Sequence, residues 1–126
     1  MKLNPDCIRD ILMAIESATD GYHPINPIEV CAKECTEYDL NEIAYHILQC
    51  NMESYFVDFK TYRGSSYSVK DLTPKAHAFL ANIRNPNVWS QIKKKLSAVG
   101  SASLGIIASV AEGVTAALIK SSSGLE

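Results

Sequence analysis

Basic side chains are scarce where this chain begins. Residues 1–60 hold only Lys2, Arg9, Lys33 and Lys60, against eleven Asp and Glu, a net of −7. A face that binds a polyanion needs clustered Lys and Arg, because phosphate neutralisation supplies much of the affinity. The first half therefore lacks the charge of a nucleic-acid surface. Catalytic patterns are missing too. His23, His46 and His77 are scattered, and no Ser or Cys sits in a nucleophile elbow, a P-loop or a metalloprotease motif. Glu37 and Asp39 fall in a loop entering a helix, where capping accounts for them. The expectation is a chain that is not an enzyme and takes no cofactor. No leader pattern precedes the first helix, since Met1-Lys-Leu-Asn-Pro5 runs straight into it, so a cytoplasmic place with reduced thiols is expected. There is no internal repeat.

What is present reads as an ordinary globular chain. It has 126 residues, 47% of them hydrophobic and 21% charged, enough for one modest core. Residues 61–126 hold eight basic and three acidic side chains, a net of +5 opposite in sign to the first half.

Asn4-Pro5-Asp6 starts a helix with a capping side chain, a proline and an acid in its first turn. Ile8, Ile11, Leu12 and Ile15 give it a buried face, Cys7 joins that face, and Gly21 ends it. Residues 22–38, with Pro24 and Pro27 and with Ile28 and Val30 two apart, read as a loop and one short strand. A second helix begins near Asp39, with Leu40, Ile43, Ala44, Ile47 and Leu48 inward. Tyr55 to Tyr62 reads as a strand, Arg63-Gly64-Ser65-Ser66 as a turn, and Tyr67 to Leu72 as the returning strand. Thr73-Pro74 caps the next helix, whose Ala76, Phe79, Leu80 and Ile83 share a face. Asn85-Pro86-Asn87 restarts the chain into a stripe of Val88, Trp89, Ile92 and Leu96. The fold class expected is α+β. A winged-helix-like domain (helix-strand-helix-hairpin-helix) covers 1–84, a C-terminal helical segment covers 85–120, and 121–126 is a tail or a vector-derived remnant.

Met1 to Leu12, Glu42 to Ile47, Leu72 to Leu80, Asn82-Ile-Arg84 and Val88-Trp89 together resemble a family known as domain of unknown function 2513. The resemblance implies a small winged-helix module of phage or prophage genomes, with no activity, catalytic residue or cofactor attached. A helix-turn-helix needs a positioning helix before the reading helix, and 20–38 shows no helical period at sequence level.

Two functions follow for such a module. A winged-helix DNA-binding regulator would place Asn41, Tyr45 and Gln49 against base edges and Lys60, Arg63 and Lys70 on phosphates. The reading helix offers Asp39, Glu42 and Glu53 and no basic residue, which favours an interaction module that contacts a host or phage protein through its acidic half. Cys31, Cys35, His46 and Cys50 echo a zinc spacing, but Cys50 lies near an apolar stripe, and no metal is expected. From Leu96 to Ile119 the one charge is Glu112. That length can cross a bilayer, yet Ser, Gly and Glu112 dilute it. Ile106, Ile107, Val110, Val114 and Leu118 form a stripe expected to drive homo-oligomerisation, with a membrane role disfavoured.

Overall fold

The computed structural model describes residues 1–64, 66–100 and 103–122. The tail reading of 123–126 and the Ser65 position of the turn lie outside the described residues. Six helices and four short strands follow one another: α1 (Pro5–Ala18), α2 (Pro27–Glu34), α3 (Leu40–Met52), β1 (Phe56–Val57), β2 (Lys60–Tyr62), β3 (Ser66–Ser68), β4 (Asp71–Leu72), α4 (Pro74–Ile83), α5 (Pro86–Val99) and α6 (Leu104–Ser122). The fold is α+β, compatible with a winged-helix-like arrangement followed by a C-terminal helix.

Four helices start alike, with a capping side chain just before a proline. Asn4, Asn26, Thr73 and Asn85 each accept a hydrogen bond from a backbone N–H of the first turn, and Pro5, Pro27, Pro74 and Pro86 fill the position where a missing N–H costs nothing. Asp39 opens α3 differently, through a capping box with Glu42.

Residues 22–38 correct the sequence reading. Ile28 and Val30 lie in a helix, not a strand, because the Asn26 side-chain oxygen Oδ1 takes the N–H groups of Ile28 (3.0 Å) and Glu29 (3.4 Å) and sets α2 going. The extended piece is Ile25 alone, which exchanges both backbone bonds with Val69 at 2.8 and 2.9 Å. The helix absent from the sequence reading is therefore α2, which packs against α3 across a short turn, an arrangement compatible with a helix-turn-helix.

Two further differences concern detail. The strand read over Tyr55 to Tyr62 breaks at Asp58, whose φ of 52° turns the chain, so β1 pairs with β4 and β2 with β3. Helix α1 stops at Ala18, where the Thr19 N–H bonds the Ile15 carbonyl, and Gly21 lies beyond it.

One hydrophobic core runs from Cys7 through Val114 and spans both the winged-helix-like part and the C-terminal helices. Ile8, Ile11, Leu12 and Ile15 of α1 lie fully inside it, as do Ile43 and Ile47 of α3 and Ile83 of α4. Burying each such side chain contributes roughly 1.5–3 kcal/mol before chain entropy is counted. Trp89, Ile92 and Leu96 extend the core into α5 as their spacing predicts.

Candidate interaction surface on the helix-turn-helix

The side chains that could meet a partner on α3 are the ones its buried face leaves over. Ile43, His46, Ile47 and Cys50 turn inward. Leu40 and Leu48, expected inward, instead stand 60% and 36% exposed, and Met52 is 67% exposed. The reason is the helical period: the core sits on the 43–46–47–50 side, Leu48 falls across the turn from it, and Leu40 overhangs at the first turn. Asn41 is exposed beside them, while Tyr45 and Gln49 are half-buried. The outward face of α3 is thus an apolar ridge at i+4 spacing, Leu40-Ala44-Leu48-Met52, next to a row of Asn41, Tyr45 and Gln49.

His46 fixes this helix in place and is not free for chemistry. Its Nε2 accepts the Asn4 N–H at 2.8 Å and its Nδ1 donates to the Glu42 carbonyl at 2.7 Å, the only polarity a carbonyl permits. Both ring nitrogens are used, so none remains for a metal. The zinc spacing dissolves for the same reason. All four cysteines are buried and free, and among the described residues no His, Cys, Asp and Glu group has the geometry to hold a metal ion. The Cys31 and Cys35 thiols interact with each other instead. That contact lowers Cys35 and raises Cys31, while burial pushes Cys7 up to about 12 and Cys50 upward as well.

The charge division of the sequence is partly consumed inside the molecule. Asp6 pairs with Lys93 (3.2 Å), Glu16 with Arg84 (2.6 Å), Glu53 with Lys75 (3.4 Å) and Asp58 with Lys70 (3.9 Å), each pair joining the acidic half to the basic half. What those pairs leave over concentrates on the helix-turn-helix. From Pro27 to Met52 the chain carries Glu29, Glu34, Glu37, Asp39 and Glu42 against Lys33 alone. Between α1 and α2 a cleft of about 500 Å³ has Asp10, Glu34 and Glu37 in its wall beside Cys35, with Arg9 as the one base among its lining residues. Burial holds the Asp10 carboxyl above its ordinary value, although the Tyr38 hydroxyl donates to it at 2.8 Å.

The hairpin has the opposite character. Lys60 and Arg63 are exposed on and just after β2, near Tyr62, itself 56% exposed, whereas Lys70 leans on Asp58. Lys60 and Arg63 thus stand on a different element from Asn41, Tyr45 and Gln49, and Lys70 is engaged by an ion pair within the chain.

At the other end, α6 packs in cis on α4 and α5 through Leu104, Ile107, Ala111 and Val114. Ile107 and Val114, expected at an oligomer interface, belong to the chain's own core, because the i, i+3, i+4 stripe that would serve a partner is spent on α4 and α5. Ile106 and Leu118 remain exposed and Val110 is half-buried. By length and composition α6 is also sufficient to cross a membrane, with mean hydropathy 1.5. The exposed apolar ridge of α3 is the feature that sequence reasoning missed. Its signal was there, as four apolar residues at i+4 spacing on a side the helical period assigns to solvent.

A family described as hypothetical protein DUF2513 matches residues 2–103. An uncharacterised protein of Haemophilus influenzae is 30% identical over 95 residues, 74% of this chain and 76% of its own length. No solved structure matches the chain.

Proposed function

The chain belongs to the family described as hypothetical protein DUF2513, and from that premise we propose that it is a non-enzymatic interaction module, of phage or prophage type and acting in the bacterial cytoplasm, which modulates another protein through its acidic helix-turn-helix. One observation carries this reading: five acids against one lysine between Pro27 and Met52, around an apolar ridge on the element that reads DNA in winged-helix regulators. An apolar strip with an acidic rim suits a protein surface that is itself apolar and rimmed by Lys and Arg. Phosphates beside those carboxylates would be repelled.

The alternative, a winged-helix DNA-binding transcriptional regulator, draws its support from exposed Lys60 and Arg63 on the hairpin. Two experiments separate the readings. In a gel shift at about 0.15 M salt a regulator keeps specific affinity, and the expectation here is no shifted band. The immobilised full chain, incubated with nuclease-treated bacterial lysate, is expected to retain a basic protein and to lose it on Glu37→Lys with Asn41→Lys. A specific DNA complex, or retention equal in the variant, overturns the proposal.

A further inference from the structure

We infer that a second copy of this chain docks the α3 ridge of one molecule into the groove between α5 and α6 of the next. The inference rests on the reading that the acidic α3 face takes a cationic protein surface, and it names one such surface.

The ridge is convex, apolar and acid-rimmed. Leu40, Leu48 and Met52 project along one i±4 row, with Glu37 and Asp39 beside its N-terminal end. The groove is concave, apolar and base-rimmed. It encloses about 430 Å³ between α5 and α6, lined by Gln91, Lys95, Gly113, Val114, Ala117 and Leu118. Its floor is low, since a methyl group added at Gly113 would meet nothing within 4 Å. Gly113 and Ala117 leave room for a helix ridge between the larger Val110, Val114 and Leu118. Helix α6 is more apolar than its packing uses: only 22% of its apolar window is buried. Along the rim, Lys95 is exposed and makes no ion pair among the described residues; the equally exposed and unpaired Lys94 precedes it on α5 outside the groove lining, whereas Lys93 is spent on Asp6.

Charge selects the pairing. Two α3 faces meeting each other would press acid on acid, and two α5–α6 grooves would press lysine on lysine. Only the unlike contact brings opposite rims together. It joins two different patches, so it is heterologous, and repetition closes a ring or extends a filament. Because α6 starts at Leu104, just past the family match at residues 2–103, the groove depends on a helix the match does not cover.

Sedimentation velocity on the full chain tests this. The monomer is 13.8 kDa, and the wild type is expected to show a mass at least twofold higher at about 0.05 M salt, falling toward the monomer near 0.5 M as screening shortens. Glu37→Lys with Asn41→Lys makes the ridge basic, and Lys94→Glu with Lys95→Glu makes the groove acidic. None of the four side chains lies in the core. Each double variant alone is expected to be monomeric, and an equimolar mixture is expected to restore the wild-type mass, since every contact between unlike variants again pairs opposite rims. A wild type that stays monomeric at low salt overturns the inference while leaving the lysate reading to its own assay. So does self-association that both variants retain, or a mixture that stays monomeric.

Discussion

The Asn4 N–H and the Glu42 carbonyl hold both ring nitrogens of His46, so an apolar replacement leaves the Asn4 N–H without its partner in a mostly buried place, while the Glu42 carbonyl keeps only its helical bond. Each buried group orphaned in that way costs about 1–3 kcal/mol. His46→Leu is therefore expected to lower unfolding stability by about 1–3 kcal/mol in urea titrations, and a loss below about 0.5 kcal/mol would show that the ring only fills space. The sequence showed a histidine at i−4 from a cysteine and favoured a residue without metal, but did not show what holds its ring; that partner, Asn4, lies 42 positions away. The cysteines carry a second residue-scale consequence. Reactivity follows the thiolate, and Cys35, lowered by the Cys31 thiol, sits in the wall of the α1–α2 cleft. Burial pushes Cys7 up to about 12 and raises Cys50 too. Iodoacetamide at about pH 8 is expected to label Cys35 first, read by peptide mass, with Cys7 and Cys50 reacting only on unfolding. Equal rates at all four would contradict this packing.

At the scale of elements, the caps were legible and the short strands were not. Asn4-Pro5, Thr73-Pro74 and Asn85-Pro86 each announce a helix, and the same signature at Asn26-Pro27 was outweighed by the alternation of Ile28 and Val30. In an eight-residue helix, two β-branched residues two apart mimic a strand, whereas the cap satisfies backbone N–H groups that nothing else can reach. Asn26→Ala removes the bonds to the Ile28 and Glu29 N–H groups and is expected to cost about 1 kcal/mol, seen as a shift of the urea midpoint with its slope unchanged. A cost indistinguishable from zero would mean that packing of Pro27 and Cys31 alone holds α2. Asp58 was illegible for another reason. Its left-handed φ comes from the β1 and β2 pairings on either side of it, and pairing partners are not written in a local window. The same limit hid the fate of Ile107 and Val114, whose stripe suits a partner chain and its own α4 and α5 equally well until the chain folds back.

Across the whole molecule the decisive quantity is where charge remains after the fold has paired what it can. Glu16 shows how the pairing reads out with pH. The Arg84 guanidinium donates to both its oxygens and holds its carboxyl below the ordinary value of 4.5. A carboxyl lowered in the folded state adds stability above its unfolded value, and that stability is lost as pH falls through the lowered one. Asp10, raised by burial, acts with the opposite sign. Stability is expected to drop below about pH 4.5, and Arg84→Met to flatten that acid limb in denaturation curves taken between about pH 5 and 3; an unchanged limb would assign the drop to other carboxylates. The acids that make no ion pair among the described residues, Glu29, Glu34 and Glu37 among them, lie on α2 and the turn into α3. If sign alone excludes DNA, reversing sign should admit it. Glu34→Lys, Glu37→Lys and Leu48→Lys add three cations beside Lys33, with Lys60 and Arg63 already on the hairpin. The triple variant is expected to bind duplex DNA without sequence preference, and log affinity should fall linearly with log salt, by about 0.9 per phosphate engaged. Fluorescence anisotropy on labelled duplex measures this directly. A triple variant that binds no duplex would overturn the argument from sign, and the shape presented by α3 and the hairpin, rather than its charge, would then decide what they admit.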